Sequence, residues 1–416
     1  MPSTLATAAA TGAMPQDLHR ALREALQTAP GIDGSGGFPR DWWAHLGRGG
    51  MLGLGFSADG RPPVADAVQV SALAGQITHA TGSLGLGMAW MMQQMLGRYV
   101  LGPLLQQGAS GTLSASHALL TQLLASMAAG ECLLALAISE PGVGAQPKHL
   151  RTRAVLDRDG EHWILDGHKA FVSNGPAADA IIVLAVSAEH EGHKRFDAFL
   201  LDTQTPGLAR EANAGVQGLA PLGHCDLLLA SCRASASRRI GAPGQAFETI
   251  ARPVRAVEDA LLLGPLLGAM QCELEALARA LGMAAATSGD TSVSNTAATD
   301  AVRELGALQL EWQALHAVRD AVARQLETQG YEEALAYSTV GARRLLERWQ
   351  TAYERACEAA SQAVSLAPLF AENSAQAGAA PLSLARDLRL VLGIARGVAQ
   401  SRQRQTGQQL LHSISS

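Results

Sequence analysis

The chain contains few aromatic and few charged residues: aromatic residues make up 4% and charged residues 17% of its 416 positions. Hydrophobic residues make up 48%, and alanine and leucine are the commonest among them. This composition excludes a disordered chain and favours packed helices around a mainly aliphatic core. The length predicts two or three domains rather than one.

Long basic runs and paired cysteine motifs are also missing. The formal net charge is −5 and no cluster of lysine and arginine marks a surface for nucleic acid, so we predict no nucleic-acid partner. The five cysteines include no CxxC pair, and their number is odd. They are Cys132, Cys225, Cys232, Cys272 and Cys357. Reduced thiols and a cytoplasmic location fit this set best.

The sequence shows no targeting segment and no segment that spans a membrane. Met1 to Ala13 lacks a basic cluster and a long apolar stretch, and we expect residues 1–15 to be disordered. No stretch of about 18 uncharged apolar residues has transmembrane character, since Leu261 to Met270 is too short. We therefore predict a soluble protein without a membrane partner.

The spacing of apolar residues changes twice along the chain. From Asp17 to Gly130, and again from Ala246 onward, apolar residues recur at helical spacing. Between Leu133 and about Arg239, short apolar runs alternate with turns, which is typical of antiparallel β structure. The pattern predicts three domains: helical over residues 1–132, β over 133–242 and helical over 243–416.

Two glycine-containing turns flank the predicted β-meander. The first reads Ser-Glu-Pro-Gly-Val-Gly from Ser139 to Gly144, and the second reads Gly-His-Lys-Ala-Phe-Val-Ser-Asn-Gly from Gly167 to Gly175. Each contains a hydroxyl, on Ser139 and Ser173, and backbone amides that can converge on a planar ring placed against the sheet. Such turns are also common without a ligand. Their paired order and spacing favour a flavin site.

The two turns resemble the signatures of the middle β-domain of acyl-CoA dehydrogenases. The similarity extends to residues 38–54 and 244–271 and fades beyond about Leu281. The resemblance implies an α+β fold, in which helical N- and C-terminal domains flank an antiparallel β-domain, and it implies FAD as the cofactor. It also implies flavin contacts for five residues: the hydroxyls of Ser139 and Ser173, the ring of Phe171, and backbone groups of Leu136 and Ile138.

The reaction of this family needs a carboxylate that removes the α-proton of an acyl thioester. In many members this glutamate follows an Arg-Asp pair, but after Arg386-Asp387 no Asp or Glu occurs from Leu388 to Ser416. In the branch that resembles isovaleryl-CoA dehydrogenase, the glutamate precedes a Gly-x-Met-Gln segment by ten residues, as Glu258 precedes Gly268 here. We predict Glu258 as the catalytic base. Because Asp259 stands where the family usually has arginine, a solvated helix acid is the alternative interpretation.

The two family segments that bind the diphosphate and adenosine half of FAD are altered. The arginine segment appears as Leu281-Gly282-Met283-Ala284-Ala285, and the glycine-rich loop is missing near residues 364–370. Because arginine binds diphosphate through charge-assisted hydrogen bonds, we expect weaker FAD binding unless other arginines compensate. The compensating candidates are Arg303, Arg396 and Arg402.

The resemblance as a whole predicts a flavoprotein oxidoreductase of fatty acid metabolism that desaturates an acyl thioester, carried on coenzyme A or an acyl-carrier protein. It implies an electron acceptor such as electron-transfer flavoprotein, and a homodimer or homotetramer. Because the usual carboxylate and the FAD segments are altered, an oxygen-using flavin oxidase or monooxygenase and a non-catalytic partner subunit are the alternatives.

His190, Glu191 and His193 are typical of a solvated turn, so we predict no metal site.

Overall fold

The computed structural model describes residues 16–28, 37–57, 62–108, 114–213, 218–288, 296–331, 333–363 and 380–393, and a few positions beyond residue 399. Helices form the N- and C-terminal parts, and one sheet lies between them in the chain. This arrangement confirms the predicted α+β fold. The domain boundaries after residues 132 and 242 stay predictions, and the predicted tail, residues 1–15, lies outside the described residues.

Six helices of the described part precede the sheet. They are α1 (Gln16–Gln27), α2 (Arg40–Arg48), α3 (Ala67–Thr81), α4 (Leu84–Met95), α5 (Gly102–Gly108) and α6 (Ser114–Ala129), with a π-helical segment, Leu96–Leu101, between α4 and α5. Asp66 and Gln69 start α3 with a capping box, in which each side chain accepts a hydrogen bond from the other residue's amide. Gly82 ends α3 with a φ of 62°, in the left-handed region that glycine adopts most readily.

The described strands form one eight-stranded sheet. They are β1 (Leu134–Ala137), β2 (Arg153–Leu156), β3 (His162–Ser173), β4 (Ala180–His190), β5 (His193–Asp202), β6 (Leu208–Ala212), β7 (His224–Ser235) and β8 (Arg239–Ile240). The order is β6-β7-β3-β2-β4-β5-β8, and β1 pairs with β4. Most neighbours are antiparallel, but β1 and β2 both pair with β4 in parallel. Alternation of apolar residues shows which face a residue takes, and it carries no information on the direction of the neighbouring strand.

A second π-helical segment, Phe247–Ala251, leads into the C-terminal helices. They are α7 (Arg252–Leu261), α8 (Leu263–Ser288), α9 (Thr296–Gln329), α10 (Glu333–Ala363) and α11 (Ala380–Gly393). Among the described residues, Phe247–Gly282 has the length and apolar composition to cross a membrane, and 83% of its most apolar window is buried inside the protein. It extends the short apolar run at Leu261 to Met270 in both directions. Such burial is typical of a core helix.

Glycines bring α3 and α8 into close contact. A Cβ added at Gly264 would lie 1.7 Å from the carbonyl oxygen of Ser71, and one at Gly75 would lie 2.6 Å from the carbonyl oxygen of Gly264. Only glycine fits such an approach of two backbones. The N- and C-terminal helices therefore share one hydrophobic core, which also covers one face of the sheet, while a second cluster covers the other face.

Candidate functional site

The first predicted turn is built around a buried carboxylate. The amides of Glu140 and Gly144 each donate to the other residue's carbonyl at 3.0 Å, which closes the turn. The Glu140 carboxylate accepts hydrogen bonds from Lys169 Nζ (2.9 Å) and from the amides of Arg151 (2.7 Å) and Thr152 (2.9 Å). Burial acts to raise the pKa of Glu140, but the charge of Lys169 and these hydrogen bonds outweigh it and lower the pKa. Glu140 therefore holds the turn in shape.

Hydrogen bonds join this first turn to β3. Lys169 Nζ donates to the carbonyl of Ile138 at 3.0 Å, and the amide of Ala170 donates to the carbonyl of Ser139 at 2.9 Å. Burial lowers the pKa of Lys169 to about 8, against the opposing effect of Glu140. Ile138 and Ser139 therefore lie directly beside the second predicted turn.

Phe171 presents an aromatic ring at the surface of the sheet. The ladder between β3 and β7 is irregular between Lys169 and Val172, and Phe171 has a φ of 59°. A left-handed backbone costs a residue with a bulky side chain on the order of 1 to 3 kcal/mol. The side chain is 48% exposed, so Phe171 is not a core residue. The fold thus supports a strained backbone that displays this ring next to the Ser139 turn.

Two buried polar groups accompany Ser173, and sequence reasoning missed both. Ser173 pairs with His224 across β3 and β7. Asn174 is fully buried with a φ of 61°, and neither polar atom of its side-chain amide has a hydrogen-bond partner in the described part of the chain. His224 Nδ1 also lacks a partner, and burial lowers the pKa of this histidine to about 4. The Asn-Gly pair after Ser173 was the available signal, since asparagine tolerates the left-handed region.

Leu136 of β1 and Ile138, one residue beyond the end of this strand, are half-buried and pack against the large core. Their neighbours Ala135 and Ala137 belong to the second hydrophobic cluster, on the opposite face. Leu136 lies opposite Ile182 of β4 in a parallel pairing. The structure therefore brings together Leu136, Ile138, Ser139, Phe171 and Ser173, along β1 and the adjoining end of β3.

Glu258 lies on a different element, α7, and is half-buried. Burial raises the pKa of its carboxyl group; the negative charge of Asp259 adds to the effect, while Arg255 and Arg343 oppose it. Within the described part of the chain, the Glu258 carboxylate makes no hydrogen bond. A poorly solvated carboxylate with a raised pKa is suited to accept a proton.

Asp259 has a clear structural role. Its carboxylate pairs with Arg255 at 3.0 Å and with Arg343 of α10 at 3.3 Å. Arg343 is 8% exposed and also donates to the carbonyls of Val391 (2.9 Å) and Leu392 (3.2 Å) at the end of α11. The acidic residue that replaces the family's usual arginine therefore ties α7 to α10 and α11.

One aromatic contact connects the sheet with the start of the C-terminal helices. Phe196 of β5 and Phe247, which begins the segment before α7, have ring centroids 5.4 Å apart. The main contacts of α7 itself are with α3, α4, α8, α9 and α10 and with the two π-helical segments. Glu258 is thus held by the helices, whereas the other five predicted site residues are held by the sheet.

The sheet residues fit the ring of a flavin. The hydroxyls of Ser139 and Ser173 make no hydrogen bond within the described ranges, and the amide of Asn174 is buried without a partner. Together with the exposed Phe171, they offer polar and aromatic groups for a planar polar ring. For the diphosphate half the fit is poorer: Leu281 and Gly282 carry no charge, and Arg303 pairs with Asp300 at 2.9 Å. Arg396, Arg402 and residues 364–370 lie outside the described residues.

One group in the described part places three metal-ligand side chains within 4.8 Å of one another: Asp159 and Glu161 in the turn before β3, and His162 at the start of β3. Arg233 occupies this group, because its Nη2 lies 2.9 Å from Asp159 Oδ2 and 3.1 Å from His162 Nδ1. His190 and Glu191 are strongly exposed on the β4–β5 turn. The absence of a metal site stays a prediction.

Residues 135–232 match the family model of the acyl-CoA dehydrogenase middle domain. The matched range contains Leu136, Ile138, Ser139, Phe171 and Ser173, and it ends before Glu258. Mitochondrial isovaleryl-CoA dehydrogenase of Pongo abelii is 26% identical over 265 residues, which are 62% of this chain and 59% of that protein. The first curated relatives are matched over about a third to three fifths of their own length.

Solved structures share the fold over nearly the whole chain. Butyryl-CoA dehydrogenase from Megasphaera elsdenii superimposes with a TM-score of 0.77 at 18% identity, over 97% of this chain and 100% of that one. The prolyl acyl carrier protein oxidase AnaB gives a TM-score of 0.71 at 20% identity, over 92% and 98%. Over residues 135–232 the chain is therefore similar to the middle domain of acyl-CoA dehydrogenases, and over nearly its whole length it has the fold of butyryl-CoA dehydrogenase.

Proposed function

We propose that this protein is an FAD-dependent oxidoreductase that desaturates an acyl thioester between its α- and β-carbons, with Glu258 as the base. The observation that carries the proposal is the state of Glu258: a half-buried carboxylate without a hydrogen bond to a described residue and with a raised pKa. Titratable side chains whose pKa is shifted by burial and by nearby charges are enriched at catalytic sites. The ring-side groups on β1 and β3 support the same proposal.

Each residue has a chemical role in this proposal. Glu258 takes the α-proton, and its raised pKa strengthens it as a base. Ser139 and Ser173 offer hydroxyl donors, Phe171 offers a ring face, and the Glu140–Lys169 pair keeps the Ser139 turn rigid. When bound, FAD would supply the acceptor for the hydride of the β-carbon.

The partners follow from the same chemistry. The acyl carrier would be coenzyme A or an acyl-carrier protein, and the electrons would pass to an acceptor such as electron-transfer flavoprotein. We further propose a homodimer or homotetramer. We also propose a cytoplasmic location, which the five unpaired cysteines support.

The test is an anaerobic titration of the FAD-supplemented protein with a panel of acyl-CoA thioesters, followed by visible absorption. We expect one thioester to bleach the flavin bands, and Glu258→Gln to slow bleaching by about 10²- to 10⁴-fold, the usual contribution of a general base. Glu248→Gln is the matched control, because Glu248 is exposed and pairs with Arg252 at 2.9 Å. Equal rates in wild type and Glu258→Gln would contradict the role of Glu258.

An oxygen-using flavin oxidase is the second candidate. Two observations favour it: no acidic residue follows Asp387, and the fold resembles the prolyl acyl carrier protein oxidase AnaB. If a carrier-bound substrate reduces the flavin and air restores its colour within the turnover time, with hydrogen peroxide formed, the oxidase is the function. Failure to bind FAD at any concentration would instead make the chain a non-catalytic partner subunit.

A further inference from the structure

A groove of about 310 Å³ lies between α10 and α11. Its lining includes three arginines, Arg344 and Arg348 on α10 and Arg389 on α11, and two glutamates, Glu347 and Glu354. Cavities of this size hold small organic molecules. No role in the proposed desaturation involves this groove, so its function is a separate question.

The charges of the groove are not balanced. Arg344 pairs with Glu347 at 3.2 Å, and Arg389 pairs with Glu354 at 3.1 Å. Arg348 lies one turn after Arg344 and makes no ion pair or hydrogen bond with any described residue. Among the described lining residues, positive charges therefore exceed negative charges by one, and the excess lies on the guanidinium of Arg348.

A buried acceptor also lines the groove. Gln350 is 4% exposed, and its Nε2 donates to Glu273 Oε1 at 3.4 Å. Its Oε1 is buried and has no hydrogen-bond partner among the described residues. Leaving a buried acceptor unpaired is unfavourable, so a ligand that brings a donor to this oxygen gains from the contact.

We propose that this groove binds a small organic phosphate that also carries hydroxyl groups, as a sugar phosphate does. The phosphate accepts hydrogen bonds from Arg348 and from the unused donors of Arg344 and Arg389, since guanidinium forks match phosphate oxygens. A hydroxyl of the ligand donates to Gln350 Oε1. The proposal is independent of the flavin chemistry.

The test is isothermal titration of the full-length, FAD-supplemented protein with ribose 5-phosphate, with inorganic phosphate and ribose as comparison ligands. We expect ribose 5-phosphate to bind more tightly than either fragment, and Arg348→Gln to weaken it at least about tenfold. Arg355→Gln is the matched control, because Arg355 is an exposed arginine of α10 outside the groove lining. It should change the affinity by less than about twofold.

Gln350→Met isolates the hydroxyl contact. It replaces the amide with an apolar side chain of similar length, so it should weaken ribose 5-phosphate several-fold and leave inorganic phosphate unchanged. Absence of binding at millimolar ribose 5-phosphate would overturn the proposal, as would equal losses in Arg348→Gln and Arg355→Gln. Circular dichroism of each variant shows whether the helices are intact, and a Gln350 variant that fails to fold leaves the Arg348 comparison decisive.

Discussion

Glu258 differs from the acidic residues around it in having no hydrogen bond to a described residue. Asp259 pairs with Arg255 and Arg343, and Glu248 pairs with Arg252. A carboxylate that loses solvation without gaining a hydrogen bond is shifted toward its neutral form, and the charges of Arg255 and Arg343 only oppose this shift. The difference between neighbours on one helix is therefore a difference in chemistry: one acid is held as a structural anion, and the other is poised to exchange a proton.

The pH dependence of catalysis should report this difference. Glu258 must be deprotonated to act as a base, so kcat should rise with pH through its raised pKa. The negative charge of Asp259 contributes to the raised pKa of Glu258. Asp259→Asn is therefore expected to lower the pKa of Glu258 and to shift the acidic limb of the kcat profile to lower pH. Glu248→Gln should leave the limb in place. A shift to higher pH in Asp259→Asn would contradict the electrostatic account.

The sequence indicated that Phe171 belongs to the candidate site, but not the backbone conformation that Phe171 and Asn174 adopt. Resemblance to the family was enough to select Phe171 and Ser173 from the sequence. The left-handed backbones of Phe171 and Asn174 were not predictable, because neither residue type requires that conformation. For Phe171 the conformation coincides with the irregular pairing of β3 with β7 between Lys169 and Val172.

At the scale of elements, the contact between α3 and α8 depends on missing side chains. Gly75, Gly264 and Gly268 let the two backbones approach more closely than any Cβ would permit. The sequence shows these glycines inside helical patterns, where glycine is otherwise unfavourable. Only the packing of α3 against α8 explains why glycine stands at these positions.

Alanine substitutions at two helical glycines should have opposite effects. Gly264→Ala places a Cβ against the Ser71 carbonyl and should lower the free energy of unfolding by about 1 to 3 kcal/mol or more. Gly341→Ala on α10 meets no atom within 4 Å and should raise it by about 0.5 to 1 kcal/mol, through helix propensity. Urea unfolding measures both. Equal effects of the two substitutions would show that the α3–α8 contact is looser than described.

In the turn from Ser139 to Gly144, as in the contact of α3 with α8, the sequence shows the local motif but not its distant partner. Turn residues in Ser-Glu-Pro-Gly predicted the local bend, but not the partner of Glu140. Lys169 reaches it across 29 positions of sequence and buries both charges. Breaking such a pair leaves an uncompensated buried charge, which costs far more than the pair itself contributes. The turn and the strand therefore depend on each other.

At the scale of the whole molecule, the C-terminal bundle buries an acid. Glu273 of α8 is 1% exposed, and Tyr353 of α10 donates to its backbone carbonyl at 3.2 Å. Burial raises the pKa of its carboxyl group to about 8, from an ordinary value of 4.5. The folded protein thus holds a proton at neutral pH that the unfolded chain releases.

The stability of the protein should fall with rising pH on this account. The contribution of Glu273 is fully present below pH 4.5 and is lost as the pH rises through about 8, because the folded state binds the proton more tightly. Glu273→Gln should remove this dependence and raise the free energy of unfolding at pH 8 by up to about 4 kcal/mol. Glu311→Gln, at an exposed position of α9, is the control. Parallel pH profiles for wild type and Glu273→Gln, from urea unfolding, would disprove the role of Glu273.

The sequence by itself determined the order of helical, β and helical parts, because residue spacing reflects local geometry with periods of 3.6 and 2 residues. It also led to the family, through two turns whose residue types follow one another in the chain. Only the tertiary structure decided the parallel pairings of β4, the exposure of Phe171 and the raised pKa values of Glu258 and Glu273. Those properties depend on groups distant in sequence: Asp259 meets Arg343 across 84 positions, and Glu273 meets Gln350 across 77. The pKa of a group depends on the burial, charges and hydrogen bonds around it, and a strand pairing depends on which segments meet. Both are fixed only once the chain has folded.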